Sequence, residues 1–179
     1  MQRCPLGRVA AGKPSSLIQR QRVRSDRPNS RAMAATPASE TGGLSYRNAV
    51  ISELAGQPIS GLISYPLGDK AEHISDSLPA VLVPLHELMN LALDTWYIHV
   101  VAVSPEYRGK GQGLALLALA ERFAGSAGKA SVSLIVSDTN TGARRLYELW
   151  GYREIAQRKM VKDQWQHPGV NWVLLRKHL

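Results

Sequence analysis

The seven residues from Tyr107 to Gly113, YRGKGQG, set three glycines among an arginine, a lysine and a glutamine. The apolar run TWYIHVVAV precedes them, and LALLALAERFAGSAG, a helical pattern ending at a glycine, follows. Strand, glycine turn and helix start together make an anion cradle. The first N–H groups of a helix have no intrahelical acceptor and converge where the helix dipole favours negative charge. Glycines admit positive φ and let a ligand approach the backbone, and Arg108 and Lys110 add charge. The cradle would run through Arg108, Gly109, Lys110, Gly111, Gln112 and Gly113, and a pyrophosphate suits it. Two common nucleotide loops are excluded. Lys110 is followed by Gly111, so no Ser or Thr stands there to serve Mg²⁺. Gly109, Gly111 and Gly113 fall as GxGxG, with Leu114 where the dinucleotide fingerprint needs glycine. A glycine triplet alone also marks an ordinary turn; its place between strand and helix favours the anion.

The elements that must position this loop begin near Tyr46. NAVISELAG and PISGLISYPL are β-like runs separated by Gly56-Gln57-Pro58, a hairpin signal. After the acidic loop GDKAEHISDS, the stretch PLHELMNLALD places Leu85, Leu88, Met89 and Ala92 at helical spacing, with Pro84 suited to a first turn. TWYIHVVAV and ASVSLIV read as buried strands. NTGARRLYELWG reads as a helix stopped by Gly151, with Ala143, Leu146, Tyr147 and Trp150 along one side. YREIAQRKMVKD and NWVLLRKHL close the chain as strands. The order β-β-α-β-α-β-α-β-β mixes hairpins with crossovers and predicts an α/β (α+β) fold on a mixed sheet.

Composition narrows the classes further. The 179 residues are 44% hydrophobic and 20% charged, as in a globular domain, and no apolar run reaches the ~20 residues that span a bilayer. Cys4 is the one cysteine, and the five histidines carry no paired spacing, so neither a disulfide nor metal chemistry is expected. Of the net charge of +8, residues 1–45 carry +6. That basic, Pro- and Ser-rich segment shows no sustained period and is expected to be a disordered leader. Its composition resembles an organelle transit peptide, and it would also suit an upstream extension or a nucleic-acid contact. The domain proper is set at 46–179, in a cytoplasmic protein.

With both motifs in view, the chain resembles the GNAT superfamily of acyl-CoA-dependent N-acetyltransferases over roughly residues 46–179. VVAVSPEYRGKGQGLALLALAERFA looks like that family's central strand, pyrophosphate loop and helix, with Arg108, Gly111 and Gly113 in the [RQ]-x-x-G-x-[GA] places. SLIVSDTNTGARRLYELWGYREI looks like its next strand and helix, with Asn140, Ala143, Leu146, Tyr147, Gly151 and Tyr152 at the recurring positions. VISELAGQPISGLISYPL is similar to the preceding hairpin. The resemblance implies a bulged central strand that splays from its parallel neighbour, leaving a gap for the pantetheine arm of acetyl-CoA. Val101, Ala102 and Val103 would offer main-chain partners, Arg108 to Gly113 would hold the pyrophosphate, and Asn140 and Ala143 would lie along the arm. Tyr147 would stand near the sulfur as general acid.

Each assignment has a plainer rival: a packed core tyrosine for Tyr147 and a helix cap for Asn140. For the base, His99 lies on the central strand where related enzymes often carry a glutamate, and by strand alternation it shares a face with Val101 and Val103. Glu53 on the hairpin is the second candidate, a water-relayed path the third, and a satisfied core histidine the alternative for His99. The strand and helices that open a complete family member are not visible before Tyr46, so a lost or replaced amino-terminal part, with impaired acceptor binding, is expected. The function read from all this is acetyl transfer from acetyl-CoA to a primary amine, with no metal. The alternatives are a weakened acyl-CoA-binding remnant and nucleic-acid binding by the leader. Homodimerisation is left open.

Overall fold

A computed structural model of the protein describes residues 42–163 and 165–179. The expected disordered leader and Cys4 fall outside the described residues as far as residue 41. Six strands form one sheet in the order β1-β2-β3-β4-β6-β5, with β1 Ala49–Leu54, β2 Gln57–Pro66, β3 Trp96–Val103, β4 Ser131–Ser137, β5 Arg153–Lys159 and β6 Asn171–His178. Three α-helices join them: α1 Val83–Met89, α2 Gln112–Ser126 and α3 Thr141–Leu149. The sheet is mixed as the sequence predicts, because β3 and β4 are parallel and every other pair is antiparallel.

The first hairpin turn begins one residue earlier than the Gly56-Gln57-Pro58 signal suggests. Ala55 (φ +51°) and Gly56 (φ +78°) are the turn, and Leu54 pairs directly with Gln57. Positive φ at both turn residues matches the strand twist, whereas Pro58 cannot supply it. Pro58 instead sits inside β2, beside a bulge between Ser52 and Glu53, where a missing N–H interrupts the ladder.

The two faces of the sheet are covered differently. Leu116, Leu117 and Ala120 of α2 and Tyr147 of α3 pack with Leu62, Ile98, Leu134 and Val173. On the other face Leu88 of α1 packs with Ala92 and Leu174, flanked by Ile135 and Trp172. Helix α1 is shorter than its apolar spacing predicts: Asn90 caps it, and Ala92 fills the core from the turn beyond. Asn90 also clamps the preceding loop, accepting from Glu72 N (2.9 Å) and donating to its carbonyl (2.8 Å). Gly128 (φ +70°) follows α2 and Gly151 (φ +98°) follows α3, the left-handed stops expected of both. Among the described residues no helix is long and apolar enough to cross a membrane.

Tyr152, just past that second glycine, is fully buried, and its hydroxyl meets no partner among the described residues. A buried hydroxyl without a hydrogen bond costs on the order of 1 kcal/mol or more. Tyr152→Phe should therefore raise the unfolding free energy by about 1 kcal/mol, read as a higher urea midpoint at unchanged slope.

Residues 42–45, placed in the leader by composition, pack on the sheet. Ser45 is buried and caps the short turn Tyr46–Asn48, and Gly43 lies so close to the Tyr65 ring that a Cβ there would collide with it. Composition misses this because the contact needs only a backbone without a side chain.

Candidate functional site

Strand β3 runs parallel to β4 for three residues only. Trp96, Tyr97 and Ile98 match Val132, Ser133 and Leu134, and there the pairing stops. β3 continues to Val103 paired with β2, while β4 continues to Ser137 paired with β6. The two middle strands therefore separate, leaving open backbone edges along a gap. The closed end is pinned by Thr95, whose hydroxyl donates to the Ala92 carbonyl (2.7 Å) and meets the buried Ser133 hydroxyl at 2.6 Å.

A bulge starts the separation. On β2, Ile63 pairs with Val100 and Ser64 with Ile98, so His99 has no opposite residue. An extra residue resets the alternation of side chains. Val101 and Val103 pack with Ile98 against the α2 face, whereas His99 meets Tyr65 and Tyr97 on the opposite face. The expectation that His99 shares a face with Val101 and Val103 is thus corrected, because strict alternation fails across a bulge.

His99 is enclosed by aromatics. Its Nδ1 lies 3.4 Å from the Tyr65 hydroxyl, and the Tyr97 ring stands edge-on to it with centroids 5.9 Å apart. Burial pushes the imidazole below its ordinary pKa. Tyr65 is pushed up to about 12, first by burial and then by the Glu72 carboxylate, and burial also raises Tyr97. Tyr65 is the residue that sequence reasoning missed. Only the pairing of Tyr65 with Tyr97 brings it beside His99.

At the far end of β3 the chain turns through Pro105–Tyr107 into the glycine loop. Gly109 (φ +70°) and Gly111 (φ +79°) are left-handed, and Gly111 is the N-cap of α2 without any side-chain cap. A Cβ on either would meet nothing within 4 Å, so backbone conformation, not space, demands glycine there. The N–H groups of Gly109, Lys110 and Gly111 find no backbone acceptor among the described residues, and the first turn of α2 carries no acid. Arg108 is folded back, its Nε donating to the Val103 carbonyl at 3.1 Å, and Lys110 Nζ lies over the Tyr107 ring. Gly113 has a different duty, since a Cβ there would stand 3.1 Å from Leu146 of α3. Gln112 opens the helix.

Helix α3 borders the other side of the gap. The Asn140 side chain accepts from Ala143 N at 3.3 Å, so it caps the helix. Ala143 packs against the core, and its N–H is taken by that cap. Tyr147 is 8% exposed, lies 6.0 Å from the Tyr152 ring, and has its phenol pKa raised by burial. Glu53 is not brought to this place. It is exposed near the hairpin tip opposite Pro58, five β2 residues or about 17 Å from the level of His99. Among the described residues no cluster of three or more His, Cys, Asp or Glu could hold a metal.

Several solved structures share this architecture. A Bacillus anthracis protein assigned as a streptothricin acetyltransferase, in complex with acetyl coenzyme A, superposes with a TM-score of 0.53 at 17% identity. That match covers 73% of this chain but 61% of that one, so the chain spans about three-fifths of that relative's length. A GNAT family acetyltransferase from Elizabethkingia anophelis, with acetyl-CoA bound, has a TM-score of 0.55 at 19% identity, covering 73% of this chain and 75% of that one. Ard1 from Thermoplasma volcanium gives 0.54 at 16%, covering 75% and 74%. At such identities the likeness establishes the fold. No curated protein matches the sequence. The Acetyltransferase (GNAT) family model matches residues 51–152, more than half of the chain, from the first hairpin through the glycine loop to Tyr152, and the chain therefore belongs to the GNAT acetyltransferase family.

Proposed function

We propose that this protein is an N-acetyltransferase that moves an acetyl group from acetyl-CoA to a primary amine. The observation that carries the reading is the β3–β4 gap, which opens beside the glycine loop and the uncapped start of α2. Unpartnered amides and the open space at Gly109 and Gly111 suit a pyrophosphate, and two neighbours of this fold are bound to acetyl-CoA. In this reading Gly109 to Gly113 and Arg108 take the pyrophosphate. The edge of β3 at Val101, Ala102 and Val103 pairs with the pantetheine amides as a strand would, with Arg108 leaving the Val103 carbonyl as it turns to the pyrophosphate. Asn140 contributes what its cap leaves free, while Ala143 and Gly113 serve mainly by keeping α3 and α2 in place.

The reaction is direct attack of the amine on the thioester carbon. Its nitrogen must lose a proton, since an amine pKa near ~10 leaves little free base at neutral pH. His99 takes that proton, and a depressed pKa keeps it neutral and ready. Tyr147 protonates the departing thiolate, and a raised pKa keeps its phenol charged with its proton. The C–N bond forms first, giving a tetrahedral intermediate whose collapse breaks the C–S bond, with no covalent enzyme intermediate.

The experiment is a thermal shift with acetyl-CoA, followed by acetylation of a panel of amines. Stabilisation of the wild type and a smaller shift for Arg108→Ala support the proposal; no shift in the wild type defeats it.

The pH dependence has a definite sign. His99 has a folded pKa below the ordinary 6.5, so the folded state binds fewer protons than the unfolded chain. Its contribution to stability is present above 6.5 and is lost as pH falls through the lowered value. The acid limb of kcat/KM should accordingly lie below pH 6.5, and a pH–rate profile checks it.

A further inference from the structure

Tyr65 is held from three sides. The Gly43 backbone lies on its ring, Tyr97 meets it edge-on with centroids 5.6 Å apart, and His99 lies at 6.2 Å with the planes tilted by 31°. In this packing the phenol oxygen lies 3.4 Å from the His99 Nδ1. The strand order puts β3 between β2 and β4, so His99 stands between Tyr65 and the gap. An imidazole bonded through Nδ1 on the β2 side has Nε2 left for the other side. The two ring nitrogens are coupled: in the neutral ring, a proton on Nδ1 leaves the Nε2 lone pair bare.

We propose that Tyr65 is a positioning residue that accepts the His99 Nδ1–H, fixing the tautomer in which Nε2 takes the proton of the acceptor amine. The proposal rests on the acetyl-transfer reading and adds to it the group that orients the base, an arrangement general among activated nucleophiles. The proton balance is simple. The amine N–H bond breaks, the Nε2–H bond forms, and the resulting imidazolium keeps its Nδ1–H on the phenol oxygen. Among the described residues, the titratable groups in contact with His99 are Tyr65 from β2 and Tyr97 from its own strand. Glu72, in the loop after β2, acts through Tyr65, and Asn90 holds its backbone in place. A phenol raised by burial and by that carboxylate stays protonated and neutral at neutral pH, and in the proposed tautomer its oxygen accepts the imidazole N–H.

Nitrogen-15 NMR of the histidines in the whole protein, with Tyr65→Phe and His99→Gln, tests this. Phenylalanine keeps the ring that Gly43 and Tyr97 pack on, so the fold is retained. In the wild type at neutral pH His99 should carry its proton on Nδ1, and in Tyr65→Phe the population should move toward Nε2–H. The same variant should lose about tenfold in kcat, the size of one neutral hydrogen bond, with KM for acetyl-CoA unchanged. Its acid limb should move to lower pH, because the imidazolium has lost an acceptor. A purely structural role would leave the tautomer alone. A bare Nδ1 in the wild type overturns the proposal, as does an unaltered tautomer in Tyr65→Phe. Transfer lost in His99→Gln but kept within twofold in Tyr65→Phe overturns this proposal alone. Full transfer by His99→Gln overturns both it and the assignment of His99 as base.

Discussion

Replacing Tyr147 by phenylalanine is expected to lower kcat by roughly 10²- to 10⁴-fold, the usual span for loss of one general acid or base. Affinity for acetyl-CoA should remain near that of the wild type, because phenylalanine keeps the ring in its buried place beside Tyr152 and the core. The argument turns on which duty the hydroxyl has. Burial raises the phenol pKa, so at neutral pH it holds a proton that a thiolate of pKa about 8.5 can accept as it leaves. A tyrosine that served only packing would tolerate the change. Steady-state kinetics with direct measurement of acetyl-CoA binding separates the two cases, and an unchanged kcat would return Tyr147 to the core.

Gly111→Val should weaken acetyl-CoA on the order of 100-fold, about 2.7 kcal/mol. A valine at φ +79° has room, since nothing lies within 4 Å of its Cβ, but the left-handed region is strained for a β-branched residue. The strain is relieved by turning the peptide away, and that turns the N-cap of α2 and the amides on either side of it. Hydrogen bonds to a charged group contribute about 1.5–3 kcal/mol each, so losing the aim of one or two accounts for the drop. Calorimetric titration measures it. The core packs on later turns of α2, at Leu116, Leu117 and Ala120, so the variant should remain folded. Binding within threefold of wild type would show that the loop does not hold the anion.

Much of this protein is legible without coordinates because its signals are local. The order of strands and helices follows from runs of apolar residues, and Gly128 and Gly151 stop their helices as single residues capable of positive φ. The glycine loop is equally local, since a strand end, two left-handed glycines and a helix start are contiguous in the chain. Residue identity also makes Asn140 a cap. What local reasoning mistakes is phase. The hairpin turn moves to Ala55-Gly56, and α1 gives up Ala92 to a turn, because neighbouring strands and the core choose among nearly equal local options.

The chain alone is enough to assign a glycine turn at a helix start in a mixed α/β domain, because those properties belong to consecutive residues. The side of the sheet on which His99 stands does not. It depends on one unpaired residue in the β2–β3 ladder, and a shift of one residue sends a side chain to the opposite face. The same register brings Tyr65, 34 positions away, to the imidazole and leaves Glu53 at the hairpin tip. Strand alternation can be read along a sequence, but a bulge is an agreement between two strands. It exists only once they have paired.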